Sequence, residues 1–376
     1  MKRKVGAAYQ PVVHYPSIIE EQGYTGELLG FFHDESNEYN VINFDSPYMT
    51  KIGEIIEKKP NVIPENELLG FYNDGKLIFY QGEIICEKKP FDLIMNIFSR
   101  NSGLIESSIM REKKAIIIGL GSVGSLVAVE LARSGVGNFL FIDIDTLAYH
   151  NICRHQLGVN DVGRFKVSAV KDRVLQINPS ANITTQKIPI EEVEKNVFDS
   201  FITENTVIIG CADNRESDFY INKISKIYKI PFISIGLWER AFAGEIFYSI
   251  PGKTPCYECM FGNKKSNAVS FRSSQNHRFY TNQEHLEDLQ FEPGIAVDIN
   301  FVTEIGIKLI IDIINTNNKL YVPKLINHLT QFTLVCNTND KRIGDVNAEL
   351  FTYPLQVTTS IELDYSDSCS TCKSIT

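Results

Sequence analysis

The pattern of apolar and polar positions changes character near residue 98. Before it, Glu27-Leu-Leu-Gly-Phe-Phe-His-Asp34 recurs 40 positions later as Glu67-Leu-Leu-Gly-Phe-Tyr-Asn-Asp74. Each copy runs into turn residues (DESN, then NDGK) and a second β-rich run (YNVINF, then KLIFY), which predicts two β-hairpins. Between them Met49–Lys58 spaces its apolar residues at helical intervals and Pro60 follows as a stop, so a helix is expected there. Two copies are too few for a solenoid. Residues 1–97 therefore read as a small α+β module. From Ala115 onward strands and helices alternate. Ala115-Ile-Ile-Ile-Gly is a short buried strand, Ser125–Ser134 is helical, and Phe139-Leu-Phe-Ile-Asp is the next strand. A helix over Phe165–Ile177 stops at Asn178-Pro179, and strands follow at Ile183–Ile188, Val207–Cys211 and Phe232–Ile235. Such alternation predicts a Rossmann-like, doubly wound, mostly parallel α/β sheet over residues 98–376. Gly262–Phe291 is polar and poorly periodic, the texture of a lid or a disordered segment. A helix is expected over Ile295–Ile314, and β-rich sequence after it.

Composition narrows the class. The chain has 376 residues, 43% hydrophobic and 22% charged, which fits a globular protein of two domains. No apolar run reaches the ~18 residues of a membrane span. The start is basic but lacks an apolar secretory core, so a cytoplasmic location is expected. A net charge of −9 argues against non-specific nucleic-acid binding, though not against a local basic pocket for phosphates. Eight cysteines are too few for a disulfide framework, so close pairs read as metal ligands.

Gly119-Leu-Gly-Ser122-Val-Gly124 follows a strand and opens a helix. In such a turn the first glycine allows the bend, the second lets a phosphate approach, and the third lets the helix pack closely. The new helix offers its N–H groups and dipole to an anion. By itself the motif suits NAD, FAD, S-adenosylmethionine or ATP, or no ligand at all. Asp143 ends the next strand, where a carboxylate can accept from ribose hydroxyls; the alternative is a strand-end turn residue, the reading preferred for Asp145. Asn151-Ile-Cys-Arg154-His and Gly163-Arg-Phe-Lys166 then supply cations of no obvious use in hydride transfer. Arg154 and Lys166 can neutralise charge gathering on an α-phosphate under attack, or can be solvated surface cations. Asp213, in Cys211-Ala-Asp213-Asn214, stands at a strand's carboxyl edge, as a helix N-cap or as a Mg²⁺ ligand.

GLGSVG, FIDID, NICRH, GRFK, INP and CADN, in this order, resemble the ThiF/MoeB/HesA family, which includes the ubiquitin-activating enzymes; the resemblance covers about residues 98–376. It implies ATP binding through Gly119, Gly121, Ser122, Gly124, Asn151 and Asn214, with ribose on Asp143, phosphates on Arg154 and Lys166, and Mg²⁺ near Asp213. Phe98-Ser-Arg100-Asn is similar to the family's arginine motif, which reaches into a partner subunit's site, so Arg100 implies a homodimer. His155 departs from the family's usual Gln and is expected to be tolerated. Pro251–Cys259 is similar to the branch that adenylates the microcin C precursor peptide, whose members carry an amino-terminal peptide clamp. Residues 1–97 are then a clamp or a stability and dimerisation module.

Cys256-Tyr-Glu-Cys259 and Cys369-Ser-Thr-Cys372 stand 110 positions apart, and two such pairs can complete a tetrahedral Zn²⁺ site. Gly262–Phe291 holds no cysteine, so no enzyme thioester is expected. The resulting expectation is ATP-dependent adenylation of the C-terminal carboxylate of a peptide or small ubiquitin-like protein. An NAD(P)-dependent oxidoreductase would leave Arg154, Lys166, Asp213 and the cysteine pairs idle. A non-catalytic scaffold would have no need to retain mutually repelling charges.

Overall fold

The computed structural model describes residues 10–44, 48–60, 63, 67–262, 293–361 and 363–373. The chain divides into two compact units, residues 1–102 and 103–376. None of the described helices is long and apolar enough to cross a membrane.

The first unit is an eight-stranded mixed sheet. Its strands are β1 (Val12–Pro16), β2 (Gly26–His33), β3 (Glu38–Val41), β4 (Thr50–Ile56), β5 (Leu68–Asn73), β6 (Lys76–Gln81), β7 (Ile84–Ile85) and β8 (Glu87–Phe91). Their spatial order is β7-β6-β5-β4-β2-β3-β1-β8. Both expected hairpins form, β2 with β3 and β5 with β6. The second turns on Asp74 and Gly75, both at positive φ (51° and 76°), the conformation that a two-residue hairpin loop requires. Val13, Tyr15, Leu28, Ile55, Leu68, Leu77 and Phe79 form its core.

The helix expected over Met49–Lys58 is instead strand β4, paired with β2 on one side and β5 on the other. Ile52, Ile55 and Ile56 mimic helical spacing, but they are β-branched and suit an extended chain. Gly53 shows what decided it. A Cβ there would come within 2.0 Å of the Leu68 carbonyl oxygen, so the glycine lets β4 lie tightly against β5.

In the second unit the strands are β9 (Lys114–Ile118), β10 (Asn138–Ile142), β11 (Asn182–Gln186), β12 (Thr206–Gly210), β13 (Phe232–Leu237), β14 (Ala243–Ser249), β15 (Phe332–Cys336) and β16 (Val357–Ile361). They lie in the order β11-β10-β9-β12-β13-β14-β15-β16. The first five run parallel and the last three join antiparallel. The Rossmann-like α/β class expected from the alternation is thus observed. Both faces of the sheet are covered, which is why β9 reads as an unbroken apolar run. Ala115 and Ile117 pack in one core with the helices Ser122–Arg133, Lys166–Ile177 and Ala296–Ile314. Ile116 and Ile118 pack in the other with Arg215–Tyr228 and Tyr257–Phe261. Strand order reverses between β9 and β12, whose carboxyl ends open the crevice where such sheets bind ligands. The polar stretch Gly262–Phe291 lies, from residue 263, outside the described residues.

Candidate active site and cysteine cluster

The loops after β9 and β12 touch at the reversal. Gly119 has φ 82°, and a Cβ on it would come within 2.7 Å of the Ala212 backbone nitrogen, so only glycine permits both the bend and the contact. Gly124 presses on the same turn, since a Cβ there would meet the Gly119 oxygen at 1.8 Å. Gly121 is different: a Cβ there would meet nothing within 4 Å. The second glycine therefore faces open space, the approach that a phosphate needs, while the first and third close the protein behind it.

That open space is a cavity of about 970 Å³. Gly119, Gly121, Ser122, Asp143, Asn151, Arg154, Lys166, Asp213 and Asn214 all line it. Gly124 supports the turn from behind. Arg100 belongs to the first unit, on the short turn Ser99–Asn101, and is exposed there.

Asp143 ends β10 and reaches back to the glycine turn. One carboxylate oxygen accepts from the Leu120 N–H, and the other accepts from the Asp145 N–H at 2.7 Å. Burial raises its pKa, against the pull of Lys166 and the two backbone donors. Each oxygen has a second lone pair, so ribose hydroxyls can still be accepted. Lys166 opens the helix Lys166–Ile177 with a side chain only 10% exposed, and its Nζ meets Asp145 Oδ2 at 2.7 Å. Asp145 thus does more than end a strand: it pairs with the buried lysine. The Arg154 guanidinium lies beside Gly294, where a Cβ would sit 3.7 Å from Nη1. Asn151 accepts from the Ala148 N–H at 3.0 Å and caps its own short turn.

The N-cap reading of Asp213 does not hold. Asn214 is the N-cap of Arg215–Tyr228, accepting from the Ser217 N–H at 2.9 Å. Asp213 precedes the cap, is exposed and lines the cavity, which leaves its carboxylate placed to meet a hard cation.

Several lining residues carried no motif. Ile188, Pro189 and Ile190 after β11 give an apolar wall, and Trp238, Glu239 and Ala241 of the β13–β14 turn give a mixed one. The rule that parallel strands bind ligands at their carboxyl ends would have found the first. Trp238, the chain's single tryptophan, donates to Glu245 Oε2 at 3.0 Å. Glu245 is buried and pairs with Arg215 at 3.2 Å, and Arg215 donates to the Tyr257 hydroxyl at 3.1 Å. This network ties the cavity wall to the start of the helix after Asp213, and nothing in the sequence announced it.

The four cysteines of the CxxC pairs meet, with all Sγ atoms within 4.8 Å of one another. Thiolates about 2.3 Å from one zinc ion stand about 3.8 Å apart in a tetrahedron. Cys256–Cys259 is 3.8 Å, Cys259–Cys372 3.6 Å and Cys256–Cys369 3.5 Å, so the set fits one ion. Asn222 accepts from the Tyr257 N–H and turns its amide to Cys256 Sγ at 3.6 Å. Glu258 accepts from Ser370 and Thr371, a second fastening of the tail.

The sequence model of the ThiF family matches residues 99–342. Ubiquitin-like modifier-activating enzyme 5 of Caenorhabditis elegans is 28% identical over 187 residues, 47% of this chain and 44% of the relative. The Aedes aegypti enzyme of the same name is 29% identical over 187 residues, 46% of each chain. The chain therefore spans under half the length of these curated relatives. Among solved structures, E. coli MccB with ATP is 20% identical, with a TM-score of 0.50 over 71% of this chain and 68% of that one. E. coli MccB with succinimide is 21% identical, with a TM-score of 0.52 over 74% and 73%. At such identity the likeness is one of fold. The family match takes in the glycine turn, the cavity's cations and Asp213 and extends over more than half of the sequence, and on that ground the chain belongs to the ThiF family.

Proposed function

We propose that this chain uses ATP to adenylate the C-terminal carboxylate of a peptide or small ubiquitin-like protein, releasing pyrophosphate. One observation carries the reading: an open glycine turn, two cations and an uncapped acid from four separate segments line a single cavity. A carboxylate oxygen attacks the α-phosphorus, the bond to the bridging oxygen breaks, and pyrophosphate leaves with that electron pair. The N–H groups around Gly121 and Ser122 hold phosphate oxygens, and Asp143 holds the ribose. Arg154 and Lys166 oppose the negative charge that gathers in the transition state. Asp213 would hold Mg²⁺, which when bound neutralises phosphate charge. Arg100 acts across a homodimer on a partner's nucleotide. The name of the curated relatives, ubiquitin-like modifier-activating enzyme, supports a protein or peptide carboxylate as the acceptor.

The chemistry stops at the acyl-adenylate or passes directly to another acceptor. Cys86, Cys211 and Cys336 are buried, and burial pushes the Cys86 and Cys336 thiols up to about 12 and about 11, far from a reactive thiolate, while the exposed Cys153 belongs to the nucleotide loop beside Arg154. The cysteine quartet would hold Zn²⁺ as a structural clip. The first unit serves either to grip the peptide or to stabilise a dimer. The deciding experiment is ATP–pyrophosphate exchange screened against short peptides and ubiquitin-like proteins. Exchange that depends on a free C-terminus supports the reading, and its absence with every acceptor sinks it. An adduct labile to thiols and stable to acid would refute the thioester-free route.

A further inference from the structure

His155 was expected only to be tolerated where the family usually has Gln. It is buried, 8% exposed, and both ring nitrogens are committed. The Leu157 N–H donates to Nδ1 at 3.3 Å, which leaves the proton on Nε2, and Nε2–H donates to the Leu120 carbonyl at 2.7 Å. Leu120 lies between the first two glycines of the turn, and Asp143 takes its N–H. The residue at the crown of the phosphate turn is thus held by its carbonyl and its N–H, from two different segments.

We infer that His155 is a positioning residue that fastens the Asn151–Leu157 loop to the glycine turn, so that Arg154 and the open face of Gly121 keep one register over the nucleotide. Arg154 adjoins His155 in the chain and lines the same cavity as Gly121. The clamp needs one donor and one acceptor at fixed separation. Neutral imidazole supplies both, and so does a primary amide, which is why His can stand for Gln. Imidazolium would have two donors and would lose the Leu157 bond. Burial pushes this imidazole down to about 4, with Lys166 adding to the fall and the Leu120 carbonyl and Asp161 opposing it, so the neutral form persists near neutral pH.

This inference rests on the proposed nucleotide site and is tested without knowing the acceptor. ATP with Mg²⁺ is titrated into the full chain, read by calorimetry and by fluorescence of Trp238 in the cavity wall. His155→Gln is expected to bind ATP within about twofold of wild type. His155→Leu strands the Leu120 carbonyl and the Leu157 N–H, and is expected to weaken ATP about 10- to 100-fold. Unchanged affinity in His155→Leu, whatever its melting temperature, overturns the clamp, as does a tenfold loss in a normally folded His155→Gln. Should His155→Leu fail to fold, His155→Asn, too short to bridge both groups, decides: tenfold weaker ATP supports the clamp and wild-type affinity overturns it. A wild-type chain that binds no ATP overturns the nucleotide reading beneath it, an outcome distinct from all of these.

Discussion

The cavity and the cysteine quartet are two polar clusters of the second unit built on opposite terms. In the cavity Lys166 and Asp143 hold partners that a ligand can displace or share. Lys166 rests on Asp145, whose side chain is 59% exposed and free to give way to a phosphate. In the quartet four thiols converge, Cys256 and Cys369 buried, in an arrangement that could hold one metal ion. A site that exchanges ligands leaves a member of its ion pair open to solvent, as Asp145 is here, at some cost to stability. A clip removes its ligands from solvent and gains stability from the ion. The contrast says that damage to the first should appear in activity and damage to the second in folding.

The largest effect is expected at the cations. Lys166→Ala and Arg154→Ala should each cut acceptor-dependent ATP–pyrophosphate exchange by about 10³-fold while shifting the melting temperature by no more than about 2 °C. A loss below tenfold would erase the distinction. On the other side, wild type should carry about one zinc ion per chain by atomic absorption, and Cys259→Ser or Cys372→Ser should abolish it and lower the melting temperature by about 5–15 °C. Retained zinc would remove the clip from the comparison.

An acid titration probes the boundary between the two behaviours. Above pH 6.5 His155 is neutral folded or unfolded. Between 6.5 and about 4 the unfolded chain takes up a proton that the native imidazole refuses, so stability falls as pH falls, by on the order of 3 kcal/mol at full extent. Asp143, raised by burial, works the other way above 3.8. The difference between wild type and His155→Gln in urea melts from pH 7.5 to 4 isolates the histidine; parallel curves would contradict its buried neutral state. The smallest change is expected for Asp145→Asn. Breaking its partly exposed pair with Lys166 should cost about 0.5 kcal/mol, yet raise ATP affinity a few-fold by releasing the lysine. Weaker ATP binding would show that Asp145 holds Lys166 in place.

Much of this is legible in the sequence, and particular residues show why. Ala115–Ile118 betrayed a strand buried on both faces. Gly119, Gly121 and Gly124 announced their three tasks because each depends on the absence of a Cβ, a property of the residue itself. Arg154, Lys166 and Asp213 stood out because a cluster of charges has few uses in an apolar α/β frame. The Met49–Lys58 stretch misled, because isoleucines three and four apart satisfy a helix while Gly53 and the flanking strands favour a ladder. Arg215, Glu245 and Trp238 gave no sign, since a buried pair 30 positions apart has no local signature.

The sequence by itself determined which backbone positions bend, which residues carry charge, and that two thiol pairs were available, because these follow from side-chain chemistry and short-range spacing. Tertiary structure alone decided that Asn214 rather than Asp213 caps the helix, that His155 and Asp143 grip the same residue from two sides, and that β4 is a strand. The cap turns on which of two neighbouring residues the backbone aims at the Ser217 N–H; the other two outcomes depend on which partner arrives from a distant part of the chain, and such partners are chosen by packing across the sheet.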